Sequence, residues 1–297
     1  HWTSSLPDNG RKAVFRHFGT ATPPKGLWRY CANCDPMDFT LKKYSELLCA
    51  FKDDGYRFVT FEQYCSDKDA LSDNKFVILR HDVDLKAENS LATAKMEHEL
   101  GITASYYFRV VAQSNKPEII KAIAGMGHEI GYHYEDMTIC NGNIDEAKAH
   151  FGRQLAYFRR FYPVRTICMH GSPRSKYDSR DLWNHYDYHD FGIIGEPYFD
   201  VDFSKVFYLT DTGRRWDGFN VSIRDKVPVY QDEWIRQGLV YHSTGDIIAS
   251  VGKGTFPQRL MMTTHPQRWT DNKLEWCREC LSQSAKNQVK AALLHFK

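Results

Sequence analysis

The sequence has no long apolar run and no strong excess of charge of either sign. No stretch reaches the about 18 consecutive apolar residues that a membrane-spanning helix needs, so we expect no transmembrane segment. The first residues show no apolar segment of the kind that secretion signals contain. The 39 basic and 37 acidic residues leave a net charge of +2, which gives no electrostatic reason to expect nucleic acid or an anionic membrane as a partner.

Cysteine is too sparse for a small domain that depends on disulfides, with eight in a chain of 297 residues. Three cysteines lie in or beside apolar runs, where a buried thiol is ordinary: Cys49, Cys140 and Cys168. We therefore expect a reducing compartment, the cytoplasm. Two pairs have the spacing of zinc ligands: Cys31 with Cys34, and Cys277 with Cys280. Because the second pair falls inside a helical pattern, we predict that these four cysteines do not form a zinc site.

Short apolar runs alternate with helical patterns from residue 75 onward, which is typical of parallel βα units. Seven runs predict core strands: KFVIL, ITASYYF, HEIGYH, RTICMH, FGIIGE, KVFYLTD and RLMMTTH. Before them, Thr40 predicts the start of a helix that continues until Gly55, and YRFVTF predicts a short strand. The polar and aromatic segment 200–255 is expected to be mostly loop and short strands over the barrel mouth.

The predicted fold class is therefore α/β, a distorted (β/α)7 barrel with an irregular N-terminal lead-in and a long loop-rich insertion over the barrel mouth. The length and the 42% hydrophobic content suit one large core, so we predict a single domain over residues 1–297. Within it, residues 1–75 form the lead-in helix and strand, and residues 76–297 form the barrel.

Polar residues follow the ends of most of these apolar runs. In a βα barrel the carboxyl ends of the strands share one face, so such residues converge in space even when they are distant in sequence. In chain order they are Arg80, His81, Asp82, Asp84, Arg109, His133, His170, Asp211 and His265. One histidine at a strand end is more often a hydrogen-bonded structural group, but imidazole and carboxylate groups at several strand ends indicate a functional site.

Oxygen from Asp84 with nitrogen from His133 and another histidine is a mixed ligand set that suits one divalent ion, zinc most of all. Asp82 lies two residues before Asp84. If the backbone turns after the strand, one carboxylate can hold the metal while the other takes a proton from its water. The alternative role of the two aspartates is to cap the helix that follows.

The segment TDTGRRW joins arginine donors to an aromatic face, which would suit a sugar ring with an anionic neighbour. Pairing of the arginines inside the protein, with Asp211 or Asp217, is the alternative. We predict substrate contacts from five residues: Arg80, Arg109, Asp211, Arg214 and Trp216.

The run RHDVD, followed about 45 residues later by GHEIGYH, resembles the first two motifs of the polysaccharide deacetylase family, also called NodB-homology or carbohydrate esterase family four. The chain looks most like the HDVD-type branch associated with surface-polysaccharide biosynthesis. This resemblance implies a distorted barrel of βα units, a divalent metal, and removal of acetyl groups from N-acetylated sugars. It also implies that Asp82 is the catalytic base, that Asp84 and His133 bind the metal, and that His265 is the general acid.

Two departures from the family pattern change the expected ligand set. A second histidine is expected four residues after His133, where this chain has Met137, and the arginine-proline motif after the fourth strand is replaced by MHGSP. We predict that His170 in that segment is the third ligand, with Glu135 or Asp136 as the alternative. If none of them reaches the metal, the protein would be an inactive carbohydrate-binding barrel. A metal hydrolase of a non-sugar amide or ester is the other alternative.

Overall fold

The computed structural model describes residues 37–68, 71, 74–172, 175–220 and 227–295, with the side chains of the last helix described up to residue 288. Within these residues the strands are β1 Arg57–Val59, β2 Phe76–Val83, β3 Ser105–Phe108, β4 Glu129–Tyr134, β5 Ile167–Met169, β6 Phe207–Thr210 and β7 Arg259–Thr264. The α-helices are α1 Leu41–Asp53, α2 Phe61–Ser66, α3 Ala87–Glu99, α4 Pro117–Gly125, α5 Asp136–Ile139, α6 Ile144–Phe158, α7 Pro197–Asp200, α8 Pro228–Arg236, α9 Thr244–Gly252 and α10 Lys273–His295.

The seven described strands form one parallel sheet in the order β5-β4-β3-β2-β7-β6, and β1 pairs with the first half of β2. Within the described residues no ladder joins β5 to β6, so the sheet is an incomplete barrel surrounded by helices. This arrangement confirms the predicted α/β class and the distorted barrel of parallel strands. The carboxyl ends of the strands consequently lie at one mouth.

Strand β2 is the central strand of the sheet and is buried at all eight positions. Its His81 faces the helices, because Nε2 lies 2.7 Å from Glu97 Oε1 of α3 and Nδ1 lies 2.7 Å from Thr264 Oγ1. Side chains alternate along a strand, so Arg80 and Asp82 face the opposite side, the barrel interior. His81 therefore stabilises the layer behind the sheet and is not part of the mouth.

Helix α1 begins as the sequence predicts. The side chain of Thr40 accepts a hydrogen bond from the Lys43 amide at 3.0 Å, and Gly55 beyond the helix end has a φ of 82°. No helix in the described part of the chain is both long and apolar enough to cross a membrane. Residues 1–36 lie outside the described residues, so the domain boundaries remain a prediction.

One predicted core strand is wrong. The run FGIIGE contributes only a single bridge, between Gly195 and Thr166, and the seventh strand is β1 in YRFVTF instead. The run is interrupted at both ends, because Phe191 ends a 3-10 helix and Gly192 follows it with a φ of 69°. Pro197 follows the run immediately and starts α7, and the side chain of Glu196 accepts from the Tyr198 amide at 2.6 Å. Proline has no N–H to donate, so a ladder could not continue through it.

The insertion after Asp200 also differs from the expectation of loop and short strands. Its described part contains β6, which is the strand predicted from KVFYLTD, and also the helices α8 and α9, which the expectation did not include. Helix α9 starts at a capping box, in which Ser243 and Asp246 each bind the other's backbone amide. Pro228 occupies the first turn of α8, a position that proline favours.

Only two of the four cysteines with zinc-ligand spacing lie within the described residues. Cys31 and Cys34 lie outside the described residues, whereas Cys277 is exposed and Cys280 is half-buried on α10. The absence of a zinc site at these cysteines therefore stays a prediction.

Candidate active site

Two aspartates meet at the carboxyl end of β2. The amide of Asp84 donates to the carbonyl oxygen of Asp82 at 3.0 Å, a tight turn that directs both side chains into the mouth. His133 Nε2, from β4, lies 3.8 Å from Asp82 Oδ2 and 3.5 Å from Asp84 Oδ1. The N-cap residue of the following helix is Lys86, and its side chain makes no capping hydrogen bond. The two aspartates therefore belong to the mouth and not to the helix cap.

Asp84, His133 and His170 present three donor atoms within 4.8 Å of one another. His170 Nε2 lies 3.4 Å from Asp84 Oδ1, and His133 Nε2 lies 3.5 Å from the same oxygen. Two ligands about 2.0–2.1 Å from a tetrahedral ion are separated by about 3.3 Å, so these spacings fit a divalent metal. Asp84 Oδ1 is buried and has no hydrogen-bond partner within the described residues, as expected for an atom that binds an ion.

Both histidines are oriented by a second partner. His133 Nδ1 lies 2.9 Å from the carbonyl oxygen of Cys168, which can only accept, so Nδ1 carries the proton. His170 Nδ1 lies 2.9 Å from Glu135 Oε2, which acts in the same way when ionised. In each ring the Nε2 atom is then the one with a lone pair facing Asp84, which is the tautomer that metal binding requires.

The alternatives to His170 have other partners. Glu135 forms a two-pronged ion pair with Arg109, whose Nε and Nη2 atoms donate to Oε1 at 2.9 and 2.7 Å. Asp136 is buried and accepts from the Tyr132 hydroxyl and from His150. Glu135 therefore orients His170. Arg109, predicted to contact substrate, is engaged in holding Glu135 instead.

The carboxylates and imidazoles of this cluster shift each other's pKa values. Burial alone would raise the pKa of Asp84, but His170, His133 and His265 hold that pKa well below its ordinary value, so the carboxylate is ionised. Burial alone would lower the pKa of His133, but Asp82 and Asp84 raise it. Asp84 and His133 therefore each favour the charged form of the other.

Asp82 is held by a buried arginine. Arg80 Nη2 donates to Asp82 Oδ2 at 3.0 Å, and only 1% of Arg80 is exposed. Its depth corrects the prediction that Arg80 contacts substrate. Arg80 lies below the mouth and fixes one oxygen of Asp82, while Oδ1 of Asp82 has no hydrogen-bond partner within the described residues.

His265, which follows β7, is oriented by Asp211. His265 Nδ1 lies 2.6 Å from Asp211 Oδ1, and its Nε2 lies 3.8 Å from Asp84 Oδ2. Asp211 is fully buried and also accepts from Arg268 and from Trp269 Nε1. Burial raises the pKa of Asp211, but Arg268 and His265 lower it below its ordinary value. Asp211 therefore holds His265 and is fully occupied by protein partners, whereas the predicted contact with substrate would need an exposed carboxylate.

The other two residues predicted to contact substrate, Trp216 and Arg214, have partners within the protein. Trp216 is 2% exposed, and its Nε1 donates to Thr244 Oγ1 at 2.9 Å, so its ring packs in the core. Arg214 lies over the Trp276 ring, 4.2 Å from its centroid, beside a cavity of about 340 Å³. The described lining of that cavity includes none of the aspartates and histidines of the mouth.

Two residues of the site were not found from the sequence. Cys168 lies two residues before His170 on β5, so strand alternation could have placed it on the same face. Gln267 lies two residues after His265, and its Nε2 donates to Asp84 Oδ2 at 3.4 Å. No pattern of period two or 3.6 indicates Gln267, because it lies in a short 3-10 turn, Pro266–Arg268.

No known family profile and no curated protein matches this chain. Among solved structures, a CE4 family pseudoenzyme from Bacillus anthracis is similar at 12% identity and a TM-score of 0.39, over 72% of this chain and 62% of that one. A mutant of that pseudoenzyme with restored activity gives the same identity and TM-score, and 64% of its length is covered. The chain thus spans less than two thirds of these proteins. PdaA of Bacillus subtilis, a family 4 carbohydrate esterase, is similar at 10% identity and a TM-score of 0.37, over 81% of this chain and 84% of that one.

Proposed function

We propose that the protein is a metal-dependent hydrolase that removes an acetyl group from an N-acetylated sugar or polysaccharide precursor. One observation supports this most: Asp84, His133 and His170 present donor atoms at the spacing of a tetrahedral metal site, with Asp82 and His265 beside them. When bound there, a divalent ion would polarise a carbonyl group and lower the pKa of a water molecule.

Asp82 is suited to act as the general base. Its Oδ2 atom is fixed by Arg80, while its buried Oδ1 atom has no hydrogen-bond partner within the described residues and can accept a proton from the attacking water. The ion pair prevents the carboxylate from rotating away. Arg80 thereby positions the base without contacting the substrate.

His265 is suited to act as the general acid. Asp211 binds Nδ1 and so directs Nε2 into the mouth, where a proton can be delivered to the leaving amine nitrogen. Asp211 also stabilises the protonated ring. The reaction thus uses two proton-transfer groups from different strands, Asp82 from β2 and His265 after β7.

The choice of an N-acetylated sugar as substrate rests on the motifs RHDVD and GHEIGYH, whose order and spacing resemble those of polysaccharide deacetylases. The near-neutral net charge of +2 is compatible with a neutral carbohydrate. Zinc is the preferred ion for Asp84, His133 and His170, because one carboxylate and two imidazoles leave a position for water.

The proposed function is tested by measuring acetate release from three sets of substrates: N-acetylated sugars and oligosaccharides, their O-acetylated counterparts, and acetamides without a sugar. We expect release from the N-acetylated sugars, loss after chelation, and recovery when a divalent ion is returned. Release only from esters or from the non-sugar acetamides would contradict the sugar amide assignment. Absence of hydrolysis from every substrate by the metal-loaded protein would favour a carbohydrate-binding barrel.

The ligand role of His170 predicts a loss of metal. His170→Ala should weaken metal affinity by at least about 100-fold, because loss of even a partner that orients a ligand costs 10- to 100-fold. The effect should match that of His133→Ala in elemental analysis after dialysis against a weak chelator. The matched control is His189→Ala, whose ring lies exposed on the surface beside Asp187. Full occupancy by Mn²⁺, an ion that does not favour sulfur ligands, in His170→Ala would contradict the assignment and make Glu135 the next ligand to test.

A further inference from the structure

Cys168 lies on the inner wall of the mouth. In the ladder between β4 and β5 it is the register partner of His133, and paired residues on neighbouring parallel strands point to the same face. It also precedes His170 by two residues on the same side of its strand. The thiol is fully buried and makes a weak hydrogen bond, 3.8 Å from Sγ to the carbonyl oxygen of Met169.

Asp82, His133 and Cys168 form a second cluster of donor atoms. Their carboxylate oxygen, ring nitrogen and sulfur all lie within 4.8 Å of one another. None of the three residues is more than 5% exposed, so the cluster lies deeper than Asp84 and His170. Asp82 Oδ1 is buried there without a hydrogen-bond partner within the described residues, which is costly unless another group binds it.

We propose that Asp82, His133 and Cys168 form an inner metal position that selects thiophilic ions such as Cd²⁺. It shares His133 with the outer position of Asp84 and His170 on which the proposed hydrolase rests, but it does not require catalysis. His133 has one lone pair available, at Nε2, because its Nδ1 donates to the carbonyl of Cys168. A metal ion can therefore occupy only one of the two positions at a time.

The ligand chemistry separates the two positions. Thiolate sulfur is a soft ligand that prefers soft ions, whereas the carboxylate and imidazole set of the outer position also accepts harder ions such as Mn²⁺. When an ion binds at the inner position, a metal–sulfur bond forms and the thiol proton is released to solvent.

Occupation of the inner position has a consequence for the site. Asp82 then binds the ion and can no longer accept a proton. A thiophilic ion at this position should therefore inhibit an enzyme that is active with an ion at the outer position, and Cys168 would determine which metals poison the protein.

The test is a titration of the metal-free full chain with Cd²⁺, followed by near-ultraviolet absorption and by sulfur ligation from X-ray absorption spectroscopy. We expect a thiolate-to-metal charge-transfer band at one Cd²⁺ per chain, its loss in Cys168→Ser, and its retention in Cys140→Ser, a buried cysteine outside both clusters. His170→Ala should keep the band, because His170 belongs only to the outer position. Mn²⁺ should bind without changing the reactivity of the Cys168 thiol.

Three results would overturn the inner position, and they separate it from the proposed function. If Cd²⁺ binds stoichiometrically without sulfur ligation, or if the band persists in Cys168→Ser, the inner position is wrong while the outer one stands. If neither Cd²⁺ nor Mn²⁺ binds to the wild-type chain, the inner position and the metal requirement of the proposed hydrolase both fail. Band loss in Cys168→Ser with Mn²⁺ binding preserved supports the proposal, provided that the variant keeps the wild-type circular dichroism spectrum.

Discussion

Asp82→Asn should lower kcat for release of acetate by about 10²- to 10⁴-fold, the usual contribution of a general base. The amide of asparagine has nearly the same shape but cannot accept the proton of the attacking water. Content of a metal such as Mn²⁺, which is expected at the outer position, should not change because Asp84, His133 and His170 remain. Steady-state kinetics together with elemental analysis measure both quantities on the same preparation.

The matched control for this substitution is Asp181→Asn, an exposed aspartate on the short 3-10 helix Ser179–Asn184, which should leave kcat unchanged. A variant Asp82→Asn with normal kcat would remove Asp82 from the mechanism. If the variant instead loses Mn²⁺ along with activity, Asp82 is a ligand and the roles of Asp82 and Asp84 must be exchanged.

The convergence of the site residues at one mouth of the barrel could be predicted, because it follows from parallel-strand geometry alone. Asp82 and Asp84, His133 and His170 each lie at or just beyond the end of an apolar run, and parallel strands bring such ends to one mouth. The identities of the donors then indicated a metal. Nothing about side-chain partners across the barrel was needed for this step.

The roles of Arg80, Asp211 and Trp216 could not be predicted in the same way. Whether a polar residue at a strand end faces a substrate or a buried partner depends on elements that are distant in sequence. Asp211 accepts hydrogen bonds from Arg268 and Trp269. These two residues follow β7 closely, but they lie more than fifty positions after Asp211 in the sequence. Trp216 is covered because Thr244, at the start of α9, accepts its indole N–H.

The strand assigned to FGIIGE failed for a local reason that the sequence already contained. Its apolar residues satisfy the pattern of a buried strand, but Pro197 follows its last residue and cannot donate to a ladder. The starts of α8 and α9 are likewise indicated by the sequence. Pro228 marks the first turn of α8, and Ser243 with Asp246 forms the capping box of α9. Composition was therefore a weaker guide in the insertion than these local signals.

The acid role of His265 predicts a loss that depends on the leaving group. His265→Gln should lower kcat for an N-acetylated sugar by about 10²- to 10⁴-fold, because the amine cannot leave without a proton. An activated aryl acetate, whose leaving group needs no proton, should be hydrolysed at nearly the wild-type rate. Metal occupancy should stay full, since Asp84, His133 and His170 are unchanged.

The comparison of the two substrates distinguishes an acid from a structural residue. Asp211→Asn should reproduce the same selective loss in a milder form, because Asp211 acts only through His265, which it holds by Nδ1 at 2.6 Å. The surface variant His189→Ala should hydrolyse both substrates at the wild-type rate. An equal loss for both substrates in His265→Gln would mean that the ring shapes the site or binds the metal.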